Sequence, residues 1–115
     1  MLGSYLRYLL KRKGAFHIHS PFVYQLYTQV IKGGDEGVLK TLGIERVEVV
    51  TEGMPFKKEG SVMYEVEDIH GSKKKETYWN TICACPDVTL TIDLYHKGLF
   101  FFREGMEKQD FILRR

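Results

Sequence analysis

The sequence has little of three features that would each point to a particular class of protein. It holds only 2 cysteines and 3 prolines in 115 residues, and no uninterrupted apolar run approaches the ~20 residues that a membrane-spanning helix needs. The N-terminus also lacks the basic, apolar and small-residue order of a secretory signal. We therefore expect neither a disulfide framework nor a membrane segment, but one cytoplasmic globular domain over residues 1–115.

The two cysteines, Cys83 and Cys85, are separated by one residue, a spacing at which a relaxed disulfide does not readily close. A four-ligand zinc site built from this pair with His17 and His19 is the alternative, but neither spacing is that of common zinc knuckles. We expect reduced thiols, with Cys83 on a helix face and Cys85 at the helix end before Pro86.

Charge is distributed unevenly along the chain. Residues 1–34 carry five basic side chains and no acidic one, whereas the remainder carries twelve basic and fifteen acidic side chains. A basic segment of this kind binds nucleic acid or acidic lipid in some proteins and packs on an acidic surface of its own fold in others. The second arrangement is the commoner one, so we do not expect nucleic acid as a partner.

Hydrophobic periodicity divides the chain into helices first and strands later. Apolar residues at helical spacing predict a basic amphipathic helix before Gly14 and a second helix from the cap Ser20-Pro21 to Gly33-Gly34. Period-two alternation and valine-rich runs predict strands over 46–51, 61–67, 88–94, 99–102 and 110–113, with a helix from Ser72 through Cys83. The chain then consists of a basic helical region (1–32), a linker with a short strand (33–60) and a strand, helix and hairpin (61–115).

Two stretches of the chain resemble class I SAM-dependent methyltransferases. One is the run His17-Ile-His-Ser-Pro-Phe-Val23. The other spans Val62 to Arg103 and contains Glu67-Asp-Ile-His-Gly-Ser72 and Val88-Thr-Leu-Thr-Ile-Asp-Leu94. Together they are similar to an uncharacterised bacterial branch that opens with a His-Ser-Pro-Phe helix. The resemblance implies an α/β protein with two N-terminal helices, a small mixed sheet and a C-terminal hairpin, which is part of a Rossmann-like methyltransferase fold.

S-adenosylmethionine is the cofactor that the resemblance implies, but the centre that would bind it is missing. Cofactor binding needs a strand, a glycine turn and a helix, because the backbone must approach the cofactor closely at a helix N-terminus. Gly33-Gly34-Asp35-Glu36-Gly37 follows a predicted helix rather than a strand, so we assign no cofactor-binding residue. We expect a truncated methyltransferase-like protein that is not catalytically competent alone.

The resemblance also indicates candidate site residues. Glu67 and Asp68 stand where related O-methyltransferases have an acidic pair after the fifth strand, so both are candidate ligands of a divalent metal. Glutamate occupies the first position, where the family more usually has aspartate. Asp68 and His70 are the candidate catalytic residues, with His70 as a general base or, alternatively, as a group that caps the turn or faces solvent.

Two expectations about partners follow. In the resembling fold a fourth strand pairs with the fifth, so the strand over 61–67 needs cover along one edge, either from the strand over 46–51 or from a second copy of the chain. We therefore expect a homodimer formed through an exposed sheet edge. The alternative function is a small homo-oligomeric interaction module that binds a protein or nucleic-acid partner through its basic N-terminal helices.

Overall fold

A computed structural model describes residues 20–113 of the chain. The predicted first helix lies outside the described residues, as do His17 and His19. Over the described range the protein is a mixed α/β structure with one five-stranded sheet, three α-helices and one π-helical segment. No helix within this range is long and apolar enough to cross a membrane.

The helix predicted from Ser20 forms, but only its first five residues are α-helical. Ser20 is its N-cap and accepts a hydrogen bond from the Val23 amide at 3.3 Å, and proline occupies the first helical position. Helix α1 (Pro21–Gln25) continues directly into a π-helical segment (Leu26–Ile31), which ends before the glycines 33 and 34. The linker then contains one short helix, α2 (Val38–Thr41).

The strands and the helix between them form close to their predicted positions. Helix α3 (Lys73–Ala84) begins at the N-cap Ser72, whose side chain accepts a hydrogen bond from the Lys75 amide. The strands are β1 (Arg46–Val49), β2 (Val62–Glu67), β3 (Leu90–Asp93), β4 (Lys97–Phe101) and β5 (Gln109–Ile112).

The sheet order is β1-β2-β4-β3-β5. Strand β1 runs parallel to β2, β4 runs antiparallel to both β2 and β3, and β5 runs parallel to β3. The predicted hairpin is therefore confirmed as β3–β4, and it lies between β2 and β5. The local strand β1 covers the edge of β2, which was one of the two covers that the sequence predicted.

Each face of the sheet carries its own apolar core. Phe100 and Phe101 point to opposite faces, because side chains alternate along a strand, and they join different clusters. On one face the sheet packs against α1, the π-helical segment and α2. On the other face it packs against α3, and we call the apolar residues between them the α3 cluster. There Gly98 of β4 leaves room for the indole of Trp79. A Cβ at position 98 would lie 2.4 Å from two atoms of that ring.

Candidate functional site

The turn that follows β2 is tightly constrained. Asp68 has a positive φ of 54°, and its amide donates a hydrogen bond to the carbonyl of His96 at 2.6 Å. The amide of Gly71 donates in turn to the carbonyl of Asp68 at 2.9 Å. A Cβ at position 71 would lie 2.0 Å from the Asp68 carboxylate, so only glycine fits without moving that side chain. The turn reverses the chain between β2 and α3 and directs His70 toward β3.

His70 is held between two carboxylates from different elements. Its Nδ1 lies 2.9 Å from Glu76 Oε2 on α3, and its Nε2 lies 2.8 Å from Asp93 Oδ2 at the end of β3. All three side chains are largely buried, with 15% of His70, 19% of Glu76 and 11% of Asp93 exposed. We call these three residues the His70 cluster. It connects the turn after β2, helix α3 and strand β3 at one end of the sheet.

This geometry determines the protonation state of the imidazole. An ionised carboxylate only accepts hydrogen bonds, whereas neutral histidine has one donor and one acceptor nitrogen. Two ionised carboxylates on opposite ring nitrogens are therefore both satisfied only by an imidazolium, which has two N–H donors. Burial opposes this charge, but hydrogen bonds and attraction from Asp93 and Glu76 outweigh burial and raise the pKa of His70 above its ordinary value.

Tyr95 completes the surroundings of His70. Its ring stacks on the imidazole with centroids 5.0 Å apart and an interplanar angle of 24°. Its backbone has a positive φ of 70°, and its amide donates a hydrogen bond to Asp93 Oδ1 at 2.8 Å. Asp93 is therefore fixed through both carboxylate oxygens. In this arrangement neither ring nitrogen of His70 is free to accept a proton from a substrate.

A separate cleft of about 280 Å³ opens where the parallel strands β1 and β2 end. Glu52 follows β1, Glu67 ends β2, and Lys74, Lys75 and Tyr78 come from the start of α3. Burial, followed by the nearby charge of Glu52, raises the pKa of the Tyr78 hydroxyl. The carboxyl ends of parallel strands are where open α/β sheets bind ligands, so this cleft is the candidate binding site.

The structure does not bring the three sequence-predicted site residues into one constellation. Glu67 lines the cleft, whereas Asp68 is exposed and forms an ion pair with Lys75 at 3.0 Å. His70 lies in the buried cluster described above. No group of three or more metal-ligating side chains occurs within residues 20–113. Glu67 and Asp68 thus have no third protein ligand in that range, and we derive no step through a metal.

The glycine-rich stretch does not form the turn that the implied cofactor needs. Residues 33–37 follow the π-helical segment and precede the four-residue α2, so they connect two helices rather than a strand and a helix. The described residues therefore do not fit S-adenosylmethionine in the way that the resemblance implies.

Cys83 and Cys85 are free thiols in the structure, as expected. Burial raises the pKa of the Cys83 thiol to about 11. Since the thiolate is the nucleophilic form, Cys83 is unreactive near neutral pH. It packs at the edge of the α3 cluster, and Cys85 caps the C-terminal end of the helix.

The sequence interpretation missed Asp93, Glu76 and Tyr95. One signal was available, because Asp93 is the single charged residue of a strand that is otherwise uncharged, and a buried carboxylate needs a partner. Nothing in the sequence indicated that this partner would be His70, which is 23 residues away. Comparison of the chain with protein-family models, curated proteins and solved structures found no match.

Proposed function

We propose that this chain is a methyltransferase-like protein that keeps the strand, helix and hairpin half of a class I SAM-dependent methyltransferase and does not transfer methyl groups alone. The observation that carries the proposal is the arrangement around β2. Parallel β1 lies on one side and the antiparallel hairpin on the other, with α3 connecting β2 to the hairpin. The resemblance implies this strand, helix and hairpin order for residues 62–103.

The acidic turn supports the same proposal. Glu67 and Asp68 come at the carboxyl end of β2, beside the cleft, where the resemblance implies an acidic pair next to the substrate. The cleft joins acidic and basic groups with the hydroxyl of Tyr78, a combination that suits a small polar molecule. Under this proposal the chain holds the substrate side of the fold, and a donor has to be supplied by another chain.

The proposal also accounts for why activity is not expected from the chain alone. Methyl transfer requires a donor and an acceptor held in contact, and within the described range no strand leads through a Gly-x-Gly turn into a helix. His70, the candidate general base, has both nitrogens bound to carboxylates. Both observations favour a fold retained without its reaction.

Isothermal titration with S-adenosylmethionine and its demethylated product tests the proposal. Circular dichroism and dispersed NMR amide signals first confirm that the protein is folded. We expect no binding at ligand concentrations of about 1 mM, which corresponds to a binding free energy weaker than about −4 kcal/mol. Micromolar binding to the folded protein would contradict the proposal, because a donor site would then exist in residues assigned here to structural roles.

A second candidate function is favoured by the charge of the N-terminal region. Five basic and no acidic residues over 1–34 would attract an acidic protein or nucleic acid. The proposed test is a mobility shift with RNA and DNA at several salt concentrations. Binding that weakens steeply with salt would favour this function, and absence of binding at low ionic strength would remove its nucleic-acid form.

A further inference from the structure

Strand β1 is an edge of the sheet whose outer side no other described strand covers. The Val50 amide donates to the carbonyl of Glu65 on β2 at 2.9 Å. Because successive residues of a strand direct their backbone groups to opposite sides, Glu48 shares the orientation of Val50 toward β2. Ahead of the strand this alternation is broken, since the Glu45 amide donates to the carbonyl of Ser61 at 2.7 Å. The N–H and C=O groups of Val47 and Val49 therefore point outward, as unpaired groups ready to form a ladder.

The side chains of this edge are unusual for an edge strand exposed to water. Val47 is 39% exposed and Val49 is 50% exposed, and both lie on the same face of the sheet. Natural edge strands commonly carry charged side chains (lysine above all), proline or a bulge that blocks pairing with another chain. Strand β1 has no lysine or proline within Arg46–Val49, and its two charged residues, Arg46 and Glu48, have opposite signs and can therefore complement those of a second copy.

We infer that β1 pairs with the β1 of a second copy of the chain, antiparallel and about a two-fold axis through Val47. A strand that pairs with itself in this way forms a closed dimer and extends one sheet across both copies. The inference is independent of the proposed function, because it depends only on the edge and its sequence.

Charge complementarity selects the register. With the axis at Val47, Arg46 lies opposite the partner's Glu48, and Glu48 lies opposite the partner's Arg46. Arg46 and Glu48 lie on the same face, so the two opposite pairs come together there. On the other face the two copies of Val47 meet, and Val49 lies opposite the partner's Glu45. Within one chain Arg46 already contacts Glu48 and Glu59, so the dimer would extend an existing ionic network.

The neighbouring registers are less favourable. A shift that places Val47 opposite the partner's Val49 places Glu48 opposite the partner's Glu48, and like charges directly opposite each other are destabilising. An axis at Val49 pairs Glu48 with the partner's Val50 and loses both charge pairs. A shift by one residue would place Val47 opposite the partner's Glu48, whose backbone groups point toward β2 and cannot pair with it. The register centred on Val47 is therefore the one that the sequence supports.

Light scattering after size exclusion, across a range of protein concentrations, measures the predicted association. We expect a monomer–dimer equilibrium that shifts toward dimer as the protein concentration rises. A monomer at every concentration tested would overturn the inference.

Disulfide trapping tests the edge and its register in a background in which Cys83 and Cys85 are replaced by serine. Val47→Cys places two thiols opposite each other at the axis, so we expect efficient oxidation to a covalent dimer. Val49→Cys is the matched control, because the two thiols would then lie about 13 Å apart along the strands. Equal cross-linking of both variants, or cross-linking of Val49→Cys alone, would overturn the register.

Exchange of the two charged residues tests whether Arg46 pairs with the partner's Glu48. Arg46→Glu and Glu48→Arg should each weaken dimerisation about tenfold, since each change occurs twice at a symmetric interface. In a Glu59→Gln background, which removes the charge that Arg46 meets within its own chain, the double variant Arg46→Glu/Glu48→Arg restores opposite charges between the copies and should return the affinity to within about threefold of that background. Circular dichroism shows that each variant is folded. Failure of the double variant to recover, with the fold intact, would contradict the assigned pairing.

Discussion

The two sides of β2 are built differently: strand β1 lies on one side and the β3–β4 hairpin on the other. In the β3–β4 hairpin all four residues of β3 and four of the five in β4 are buried, and they contribute to the clusters on both faces of the sheet. In β1 three of four residues are exposed, and its pairing with β2 is its main attachment. The hairpin side therefore supplies the stability of the domain, whereas the β1 side presents a surface.

The largest change in the free energy of unfolding is expected on the hairpin side, at Gly98. Gly98→Ala places a methyl group against the buried indole of Trp79, which cannot move without disturbing the α3 cluster. Overpacking of this kind should lower the free energy of unfolding by about 3 kcal/mol. Urea denaturation followed by tryptophan fluorescence measures the change.

Gly60→Ala is the matched control for that substitution. A Cβ at position 60 would make an ordinary contact of 3.5 Å with the carbonyl of Phe102. We expect a change in the free energy of unfolding within about 0.5 kcal/mol. If both variants were equally stable, the close packing of Trp79 on Gly98 would be contradicted.

A smaller effect is expected at the His70 cluster, which fastens the hairpin side to α3. His70→Gln removes the cation between Glu76 and Asp93 and should cost about 2 kcal/mol at pH 6. Because the pKa of His70 is raised in the folded protein, its contribution is complete below the unfolded value of about 6.5 and is lost as pH rises through the folded pKa. The stability difference between wild type and variant should therefore shrink toward higher pH.

Urea denaturation at several pH values between 5.5 and 9 measures this dependence. His96→Gln is the control, because His96 is exposed and its change should leave the pH profile intact. A His70→Gln variant with the same pH profile as wild type would contradict the imidazolium assignment. An NMR titration of the His70 ring reports its pKa directly.

The smallest effect is expected at Asp68, two residues before His70. Its carboxylate is 62% exposed and pairs with Lys75, which is 54% exposed. Exposed ion pairs contribute little, so Asp68→Asn should change the free energy of unfolding by less than about 0.5 kcal/mol. Asparagine also tolerates the positive φ of 54° at this position. A loss of 2 kcal/mol or more in urea denaturation would show that the pair is structural.

Most of the fold within 20–113 could be predicted from the sequence, because its signals are local. The Ser20-Pro21 cap, the glycines at 33 and 34 and the alternation before Asp93 each act within a few residues of chain. Boundaries shifted by one or two residues, as expected for strand ends. The π-helical segment was not predicted, since its residues satisfy helical spacing equally well.

The site was less predictable because it depends on distant pairs. The sequence singled out His70 and Asp68 on the strength of a resemblance, and the roles that it implied remain predictions. Asp93 and Glu76 lie 23 and 6 residues from His70, and only the sheet register and the reach of α3 bring them to it. No periodicity in the chain encodes that contact.

Native-state hydrogen exchange of single amides, at low and high protein concentration, tests the contrast between the two sides most directly. We predict that amides of the β3–β4 ladder exchange slowly at every concentration, because they open only with global unfolding. The outward amides of Val47 and Val49 should exchange rapidly in dilute protein and become protected as the concentration rises. Rapid, concentration-independent exchange at Val47 would contradict pairing through β1, and β1 amides better protected than the hairpin would contradict the account of where the stability lies.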